Sequence, residues 1–519
     1  MKTSSSSRWF ASIAPTNRRT VYLLLLILPV CALWAASYMR DIVWPFYLMS
    51  HDPDYAYLFN GVSIDALVAP EHIDHPGTPL QMHIALQLKL MHPLSSAADI
   101  MLAVVRAPEK YLAIANYLLV FLIAVAAYIA GIAVYRSTKD VVPALLTQTS
   151  PLIYGVTLQA LPRVNPEPLL LALGLLFVAY FARLAWGKNA PSDRRYPRSL
   201  GLLGGLGVAI KVTFAPVLLA PLVVFGGWWL RGRYLFFIAL GFFIGTLPLL
   251  MKFPLFSLYE RLFKWLTALV LGAGIYGQGP RTVIDVNTFV GGLRDIVVNQ
   301  IPYVVVVVAA GVAFVIALWR RRTRRAHVLL PSERMLGGLV LMHVVMILLA
   351  AKHHQSDRYL IATMALSGFT LALVYDNVKR WFPRQLPWRW APVGVGVLVV
   401  ALAWPARASL GELARAHNER RAWLAGVEKV VRDDYPGCAQ IHQDSSSPEF
   451  ALFFGLEWSR KSTETRAARD AFFRDKALFT YDPIRNMFIM MSDYIVERDA
   501  IMRHYPCVIM RTSTGVEPW

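Results

Sequence analysis

The chain has 519 residues, of which 56% are hydrophobic and only 16% are charged, and its mean hydropathy is +0.45. A soluble protein of this length needs far more polar surface, so the composition excludes a soluble globular protein and predicts a membrane protein. The net charge of +19 does not indicate nucleic-acid binding, because the basic residues stand mostly between apolar segments, as in the cytoplasmic loops of membrane proteins.

Apolar runs that could cross a bilayer recur along most of the chain, since a span needs about 20 mainly apolar residues. Arg18 and Arg19 precede the first run, which predicts that the run starts in the cytoplasm. The predicted spans are residues 21–38, 111–134, 141–158, 169–186, a hairpin of two short helices at 200–230, 234–250, 303–319, 336–351, 360–375 and 390–404. This gives about eleven spans. All strongly basic loops then lie on the cytoplasmic side, and the C-terminus lies outside.

Two carboxylates follow the first predicted span, in the sequence His51-Asp52-Pro53-Asp54-Tyr55. Charged groups cost less at the mouth of a span than at mid-bilayer, yet they remain close to a substrate held in the membrane. The positions of Asp52 and Asp54 therefore predict chemistry at the outer membrane face. The alternative is that both are solvated loop residues. His75 lies in a His-Pro-Gly turn of the same outer loop, where it either contacts substrate or only shapes the turn.

Further polar residues fall on the same outer side of the predicted topology. They are Arg163, Glu167, Lys211 near the hairpin tip, Tyr276, Lys352, His354, Arg358 and Tyr359. Cations and carboxylates gathered at one membrane face predict a pocket for a phosphate group beside a base. Two alternatives stay open: Glu167 pairs with Arg163 only to satisfy a helix end, and Lys352 is an interfacial anchor.

Residues 406–519 are charged and mixed in pattern, and they contain no run that could span. Strands are predicted at 438–441 and 508–511, and helices at 448–454 and 467–473. The chain is therefore predicted to be an all-α polytopic membrane protein, residues 1–405, with a small extracytoplasmic α/β domain, residues 406–519. If that domain is outside the cytoplasm, Cys438 and Cys507 either pair as a disulfide or stay free.

These residues resemble the GT-C superfamily of polytopic glycosyltransferases, in the manner of mannosyl- and aminoarabinosyltransferases. The likeness rests on the Asp-Pro-Asp element after the first span, the Gly-rich segment 204–211 (GGLGVAIK), the late segment 352–360 (KHHQSDRYL) and the C-terminal soluble domain. Asp-Pro-Asp stands where one branch of the superfamily has an Asp-Glu pair, so the sugar stays open.

The resemblance implies transfer of a sugar from a polyprenyl-phosphate donor to a glycolipid, glycan or protein acceptor, with inversion at the sugar carbon. A phosphate leaves readily once its charge is balanced, so no general acid is needed. Asp52 is then the general base, with Asp54 orienting it or the acceptor. The predicted phosphate ligands are Arg358, Lys352, Lys211 and Arg163. The predicted substrate contacts are His75, Glu167, Tyr276, His354 and Tyr359.

Two rival functions are a secondary transporter and a ligase that moves a whole lipid-linked glycan. A transporter places its ionisable groups near the midplane and often shows inverted repeats, whereas here they collect at one face. The histidines do not have zinc-ligand spacing, and no cofactor is predicted, although a divalent cation on Asp52 and Asp54 stays an alternative. The expected location is the bacterial cytoplasmic membrane, with the active face and the C-terminal domain periplasmic and membrane lipid as a further partner.

Overall fold

The computed structural model describes residues 17–49, 51–73, 77–187, 193–252, 254–271, 286–323, 328–353, 357–383, 390–443, 447–474, 478–482, 487–491, 494–496, 498–512 and 515–518. Helices dominate the first 434 residues. They are α1 Arg18–Leu24, α2 Ile27–Val43, α3 Phe46–Met49, α4 His51–Asp65, α5 Thr78–Met91, α6 Ala97–Arg106, α7 Pro108–Thr138, α8 Val141–Gln148, α9 Gly155–Ala160, α10 Pro166–Trp186, α11 Arg195–Ile210, α12 Leu219–Val224, α13 Trp228–Gly245, α14 Leu255–Leu271, α15 Val286–Asn299, α16 Ile301–Thr323, α17 Pro331–His353, α18 Ile361–Met364, α19 Ser367–Trp381 and α20 Ala391–Asp434. Short 3-10 helices occur at Val212–Leu218, Leu247–Met251 and Asp357–Leu360.

Six helical segments of the described chain are long and apolar enough to cross a membrane. They are Arg18–Val43, Pro108–Thr138, Pro166–Trp186, Ile301–Thr323, Pro331–Lys352 and Pro392–Asp434. A seventh forms if Asp357–Met364 and Ser367–Trp381, which meet at 47°, count as one bent span. The predicted helical class is confirmed, whereas the predicted count of about eleven spans is not.

One predicted span is interrupted in the structure, and one predicted pair of short helices breaks between its two helices. The predicted span 141–158 is divided into α8 and α9, because a residue before a proline disfavours helical backbone and Pro151 lies between the two helices. The predicted pair 200–230 breaks at Lys211, which has extended backbone between α11 and the 3-10 helix Val212–Leu218. The sequence thus located this second break correctly.

The Gly-rich part of α11 has a packing function. A Cβ atom at Gly205 would lie 2.1 Å from the carbonyl oxygen of Ile238 in α13, so only glycine permits this approach. Small residues spaced by four let membrane helices pack backbone to backbone, and Gly201 and Gly205 have that spacing. This packing holds α11 in place up to the break at Lys211.

The helical part is packed around α10, where Phe177, Phe181 and Leu184 are fully buried. Outward-facing apolar side chains remain exposed on other helices, such as Trp34 on α2 and Val315 on α16. An exposed apolar surface of this kind is what a lipid environment would cover.

The C-terminal part is a small α/β domain, as predicted. Its elements are β1 Ala439–His442, α21 Pro448–Glu457, α22 Thr463–Phe473, β2 Leu478–Asp482, β3 Met487–Met490, β4 Tyr494–Val496, α23 Arg498–His504, β5 Val508–Arg511 and β6 Val516–Pro518. The sheet order is β4-β3-β2-β1-β5-β6, and β1 is parallel to both β2 and β5. A disulfide joins Cys438 to Cys507, so of the two open outcomes for these cysteines the structure has the paired one.

Helix α20 continues without interruption past residue 405, where the domain boundary is predicted. Its 44 residues correspond to about 66 Å at 1.5 Å per residue. Its polar half contacts the chain after the first span: Arg420 donates to the carbonyl oxygen of Leu48 at 2.8 Å, and His417 lies 3.3 Å from that of Trp44. The helix therefore ties the C-terminal domain to the segment between α2 and α4.

Helix α21 of the C-terminal domain packs on α4. A Cβ atom at Gly455 would lie 2.6 Å from the ring of Phe59, so this contact too requires glycine. The buried Asn60 side chain donates to the carbonyl oxygen of Trp458 at 2.9 Å and accepts from the backbone N–H of Glu71 at 2.6 Å. The C-terminal domain is thus docked directly on the helix that carries the two predicted catalytic carboxylates.

Candidate functional site

The carboxylate of Asp54 is buried and fully engaged. It accepts hydrogen bonds from Nη2 of Arg163 at 2.6 Å, from Nε of Arg163 at 3.2 Å and from the backbone N–H of Val164. The Asp54 side chain is 1% exposed and that of Arg163 is 11% exposed. This ion pair joins α4 to the segment before α10. The sequence left open that Glu167 pairs with Arg163 only to satisfy a helix end, and in the structure Arg163 is paired with Asp54.

Asp52 and Asp54 both belong to α4, with Asp52 in its first turn. Positions two apart on an α-helix do not face each other, because successive residues are rotated by about 100°. The side chain of Asp52 lies outside the described residues.

The segment that carries Arg163 is held from α7. The buried side chain of Asn116 donates to the carbonyl oxygen of Leu161 at 2.7 Å and to that of Arg163 at 3.2 Å. These two carbonyl oxygens lie just after the end of α9. The bonds from Asn116 give them the hydrogen-bond partner that buried carbonyl groups require. Asn116 was missed from the sequence, where a single asparagine in an apolar span was the available signal.

A second buried ion pair forms four residues further along. Nζ of Lys211 donates to Oε1 of Glu167 at 2.6 Å, and the two side chains are 8% and 2% exposed. Lys211 reaches Glu167 because the break after α11 places it between helices, whereas Glu167 lies in the first turn of α10.

Tyr359 and Arg358 complete this second group. The ammonium group of Lys211 lies 4.9 Å from the ring centroid of Tyr359, within the range of a cation–π contact. Arg358 is exposed, and its guanidinium attracts the Glu167 carboxylate electrostatically. Four predicted site residues from three separate parts of the chain, Glu167, Lys211, Arg358 and Tyr359, are thus brought together.

A carboxylate missed from the sequence holds α3 and α4 together. Glu109, at the beginning of α7, accepts from the backbone N–H groups of Phe46 and Tyr47 at 2.8 and 3.1 Å and from the Tyr55 hydroxyl at 2.7 Å. Burial, and secondarily the charge of Glu109, raises the pKa of Tyr47 to about 12 and that of Tyr55 well above its ordinary value. Both phenols therefore stay protonated. The signal for Glu109 was a lone acid after Pro108, where a helix begins.

None of the contacts described above joins the other predicted residues to these groups. His75, Tyr276 and His354 lie outside the described residues. Lys352 lies partly buried in the last turn of α17, shortly before the 3-10 helix that carries Arg358. Within the described ranges, no three His, Cys, Asp or Glu side chains form a group that could hold a metal ion.

The burial of His72 predicts that the stability of the protein depends on pH. Its ring packs between those of Tyr57 and Trp458, with centroids 4.9 and 5.1 Å away, and burial lowers its pKa from 6.5 to about 4. Below pH 6.5 the His72 ring takes up a proton in the unfolded chain but not in the folded protein. The free energy of unfolding is therefore at its full value above pH 6.5 and decreases as the pH falls towards 4. At 1.36 kcal/mol per pKa unit, the loss reaches about 3 kcal/mol.

We therefore expect the melting temperature of the purified protein in detergent to fall between pH 6.5 and pH 4. The variant His72→Gln should show a shallower fall over the same range. An unchanged pH slope in that variant would mean that His72 does not cause the effect.

Comparisons with known proteins give two structural similarities. No protein-family model and no curated protein matches the chain. Over 91% of its length the chain is similar to ArnT from Cupriavidus metallidurans bound to undecaprenyl phosphate, with a TM-score of 0.49, 11% identity and 97% of that chain covered. Over 82% of its length it is similar to the Archaeoglobus fulgidus oligosaccharyltransferase in complex with Zn and sulfate, with a TM-score of 0.43, 13% identity and 57% of that chain covered. At these identities no residue of either protein is assigned to this chain.

Proposed function

We propose that this protein is an integral-membrane glycosyltransferase of the GT-C type, which moves a sugar from a polyprenyl-phosphate donor to an extracytoplasmic acceptor with inversion. The observation that carries the proposal is the assembly of Lys211, Arg358, Tyr359 and Glu167 from distant parts of the chain. Residues of this kind are costly to bury in a membrane protein, so their assembly favours a functional site.

The cations of this group suit the phosphate of the donor. The guanidinium of Arg358 is exposed and can offer two parallel N–H donors to phosphate oxygens, while Lys211 adds a positive charge close by. Glu167 holds Lys211 in place before the donor binds. Arg163 is engaged with Asp54, so we assign to it the positioning of the segment before α10 and not a direct phosphate contact.

Asp52 is the proposed general base. The acceptor hydroxyl oxygen attacks the anomeric carbon, its proton passes to the Asp52 carboxylate, and the bond between that carbon and the phosphate oxygen breaks. The polyprenyl phosphate leaves with the bonding electrons. Because attack comes from the face opposite the phosphate, the configuration inverts. Asp54 supports this step by fixing α4 against Arg163.

The two rival functions, a secondary transporter and a glycan ligase, would give different results in an activity assay. A broken helix with a cation at the break, as at Lys211, is also a feature of secondary transporters. Purified protein should transfer sugar from a polyprenyl-phosphate donor to an acceptor glycolipid, glycan or protein. Transfer only from pyrophosphate-linked glycans would indicate a ligase, and uptake of a free solute into vesicles without transfer would indicate a transporter.

Replacing Arg358 tests the phosphate site. With the polyprenyl-phosphate donor, we expect Arg358→Ala to lower the transfer rate by roughly thirty- to a thousandfold, because charge-assisted contacts to the leaving phosphate strengthen as it departs. Arg358→Lys should recover only part of the rate, since one ammonium cannot reproduce the two parallel donors. The exposed Arg322 at the end of α16 offers a matched control, and Arg322→Ala should retain the wild-type rate. Wild-type turnover by Arg358→Ala would place the phosphate elsewhere.

Two features support an active face outside the cytoplasm. A disulfide in the C-terminal domain persists in oxidising compartments, and the arginines 320–322 end α16 on the side predicted to be cytoplasmic. We propose the bacterial cytoplasmic membrane, with the site and the C-terminal domain on the periplasmic side.

Cysteine labelling tests this orientation. In a Cys31→Ser background, Leu94→Cys should react with an impermeant thiol reagent in spheroplasts, since Leu94 is 98% exposed between α5 and α6. Thr323→Cys, at the exposed end of α16, should react only after permeabilisation. The reverse pattern would invert the topology and place the site in the cytoplasm.

A further inference from the structure

The side chain of Asn165 is buried, and Asn165 stands in the short segment that connects the residues of the two ion pairs, Arg163 and Glu167. Asn165 is 1% exposed, and within the part of the chain that the structure describes neither its Oδ1 nor its Nδ2 has a hydrogen-bond partner. It lies two residues after Arg163 and two before Glu167. Buried polar atoms are nearly always paired, so this carboxamide requires an explanation.

The local sequence explains why Asn165 does not cap its own helix. Asparagine at the N-cap position usually accepts a hydrogen bond from the second or third N–H of the helix. Here the helix starts Pro166-Glu167-Pro168, so the first and third residues have no N–H. Of the two N–H groups that an N-cap asparagine usually accepts from, only that of Glu167 is present here. Asn165 accordingly makes no cap bond.

The chemistry of a carboxamide points to a class of ligand. It presents one acceptor and two donors side by side, which matches a pair of neutral hydroxyl groups. A phosphate is a poorer match, since the amide oxygen would face anionic oxygens, and cations for a phosphate already stand at Lys211 and Arg358. A sugar joined to that phosphate would carry hydroxyls into the neighbouring space.

We propose that the side chain of Asn165 hydrogen-bonds hydroxyl groups of the donor sugar and so determines which sugar is accepted. This inference rests on the proposed function and adds a specificity residue to it. Asn165 contacts the sugar, whereas Lys211 and Arg358 contact the phosphate. Replacing Asn165 should therefore weaken binding of the sugar part of the donor, whereas replacing Lys211 or Arg358 should weaken binding of its phosphate.

The test compares the wild-type protein with Asn165→Ala and Asn165→Ser, with the exposed Asn418→Ala as control. Two quantities are measured: KM for the polyprenyl-phosphate sugar, and inhibition by polyprenyl phosphate without sugar. Asn165→Ala should raise KM by about 10- to 100-fold, as expected for lost hydrogen bonds to substrate hydroxyls. Inhibition by the sugar-free lipid should stay at the wild-type value. Arg358→Ala should instead weaken that inhibition.

Donors that carry a deoxy sugar distinguish a direct contact between Asn165 and the sugar from a structural role of Asn165. Wild-type protein should discriminate against the donor that lacks the contacted hydroxyl, and Asn165→Ala should lose this discrimination. Full discrimination in both Asn165 variants, or equal weakening of donor and sugar-free lipid, would overturn the inference. If wild-type protein turns over no polyprenyl-phosphate sugar at all, the proposed function itself fails.

Discussion

Replacing Asp52 with asparagine is expected to abolish sugar transfer while the protein still inserts and folds. Asparagine keeps the size of the side chain and removes its ability to accept the proton of the acceptor hydroxyl. A general base contributes about 10²- to 10⁴-fold to a rate. We therefore expect at least a hundredfold loss in transfer, measured with purified protein, and an unchanged melting temperature.

Asp54→Asn is the matched comparison, because it makes the same chemical change two residues away. Asp54 is buried against Arg163, and removing one charge of a buried pair leaves the other uncompensated. We expect this variant to lose about 3–5 kcal/mol of stability. Its melting temperature should fall, and activity should be lost with the fold. A stable and inactive Asp54→Asn beside an active Asp52→Asn would exchange the two roles.

Replacing Lys211 with methionine is expected to lower both stability and transfer. The Glu167 carboxylate would then be buried without its ammonium partner, at a cost of about 3–5 kcal/mol, and the donor phosphate would lose a counter-charge. Thermal unfolding in detergent and initial transfer rates measure the two effects separately.

The double variant Lys211→Met with Glu167→Gln separates stability from function. Replacing both members of a buried ion pair with neutral groups is often close to neutral for stability, so the melting temperature should return towards the wild-type value. Transfer should stay low, because Lys211 is still missing from the phosphate site. Recovery of full transfer in the double variant would show that Lys211 has only a structural role.

The docking of the C-terminal domain on α4 bears on the prediction for Asp52. Asn60 and Gly455 fix α21 against α4, which has Asp52 in its first turn. Arg420 fixes α20 to the segment just before it. The C-terminal domain therefore supports the position of the proposed base, although it contributes no contact to the ion pairs themselves among the described residues.

Several features were determined by the sequence alone, because their signals are local. Apolar runs located the long helices, since burial of an apolar segment depends on its own residues. The break at Lys211 and the strands β1 and β5 also followed from short stretches of sequence. The prediction failed where a helix is interrupted within an apolar run, as between α8 and α9, because hydropathy does not register a turn around Pro151.

Only the tertiary structure decided which charges pair. Asp54 meets Arg163 across 109 positions, and Lys211 meets Glu167 across 44. From the sequence, a pairing of Arg163 with Glu167 was only one of the alternatives left open. The sequence predicts that all four residues lie at one membrane face, because a predicted topology follows from the order of the predicted spans. Their partners depend on how helices pack within that face, and packing joins residues without any local signal. The carboxamide of Asn165 has no hydrogen-bond partner among the described residues, and this became evident for the same reason, because pairing is visible only in the folded structure.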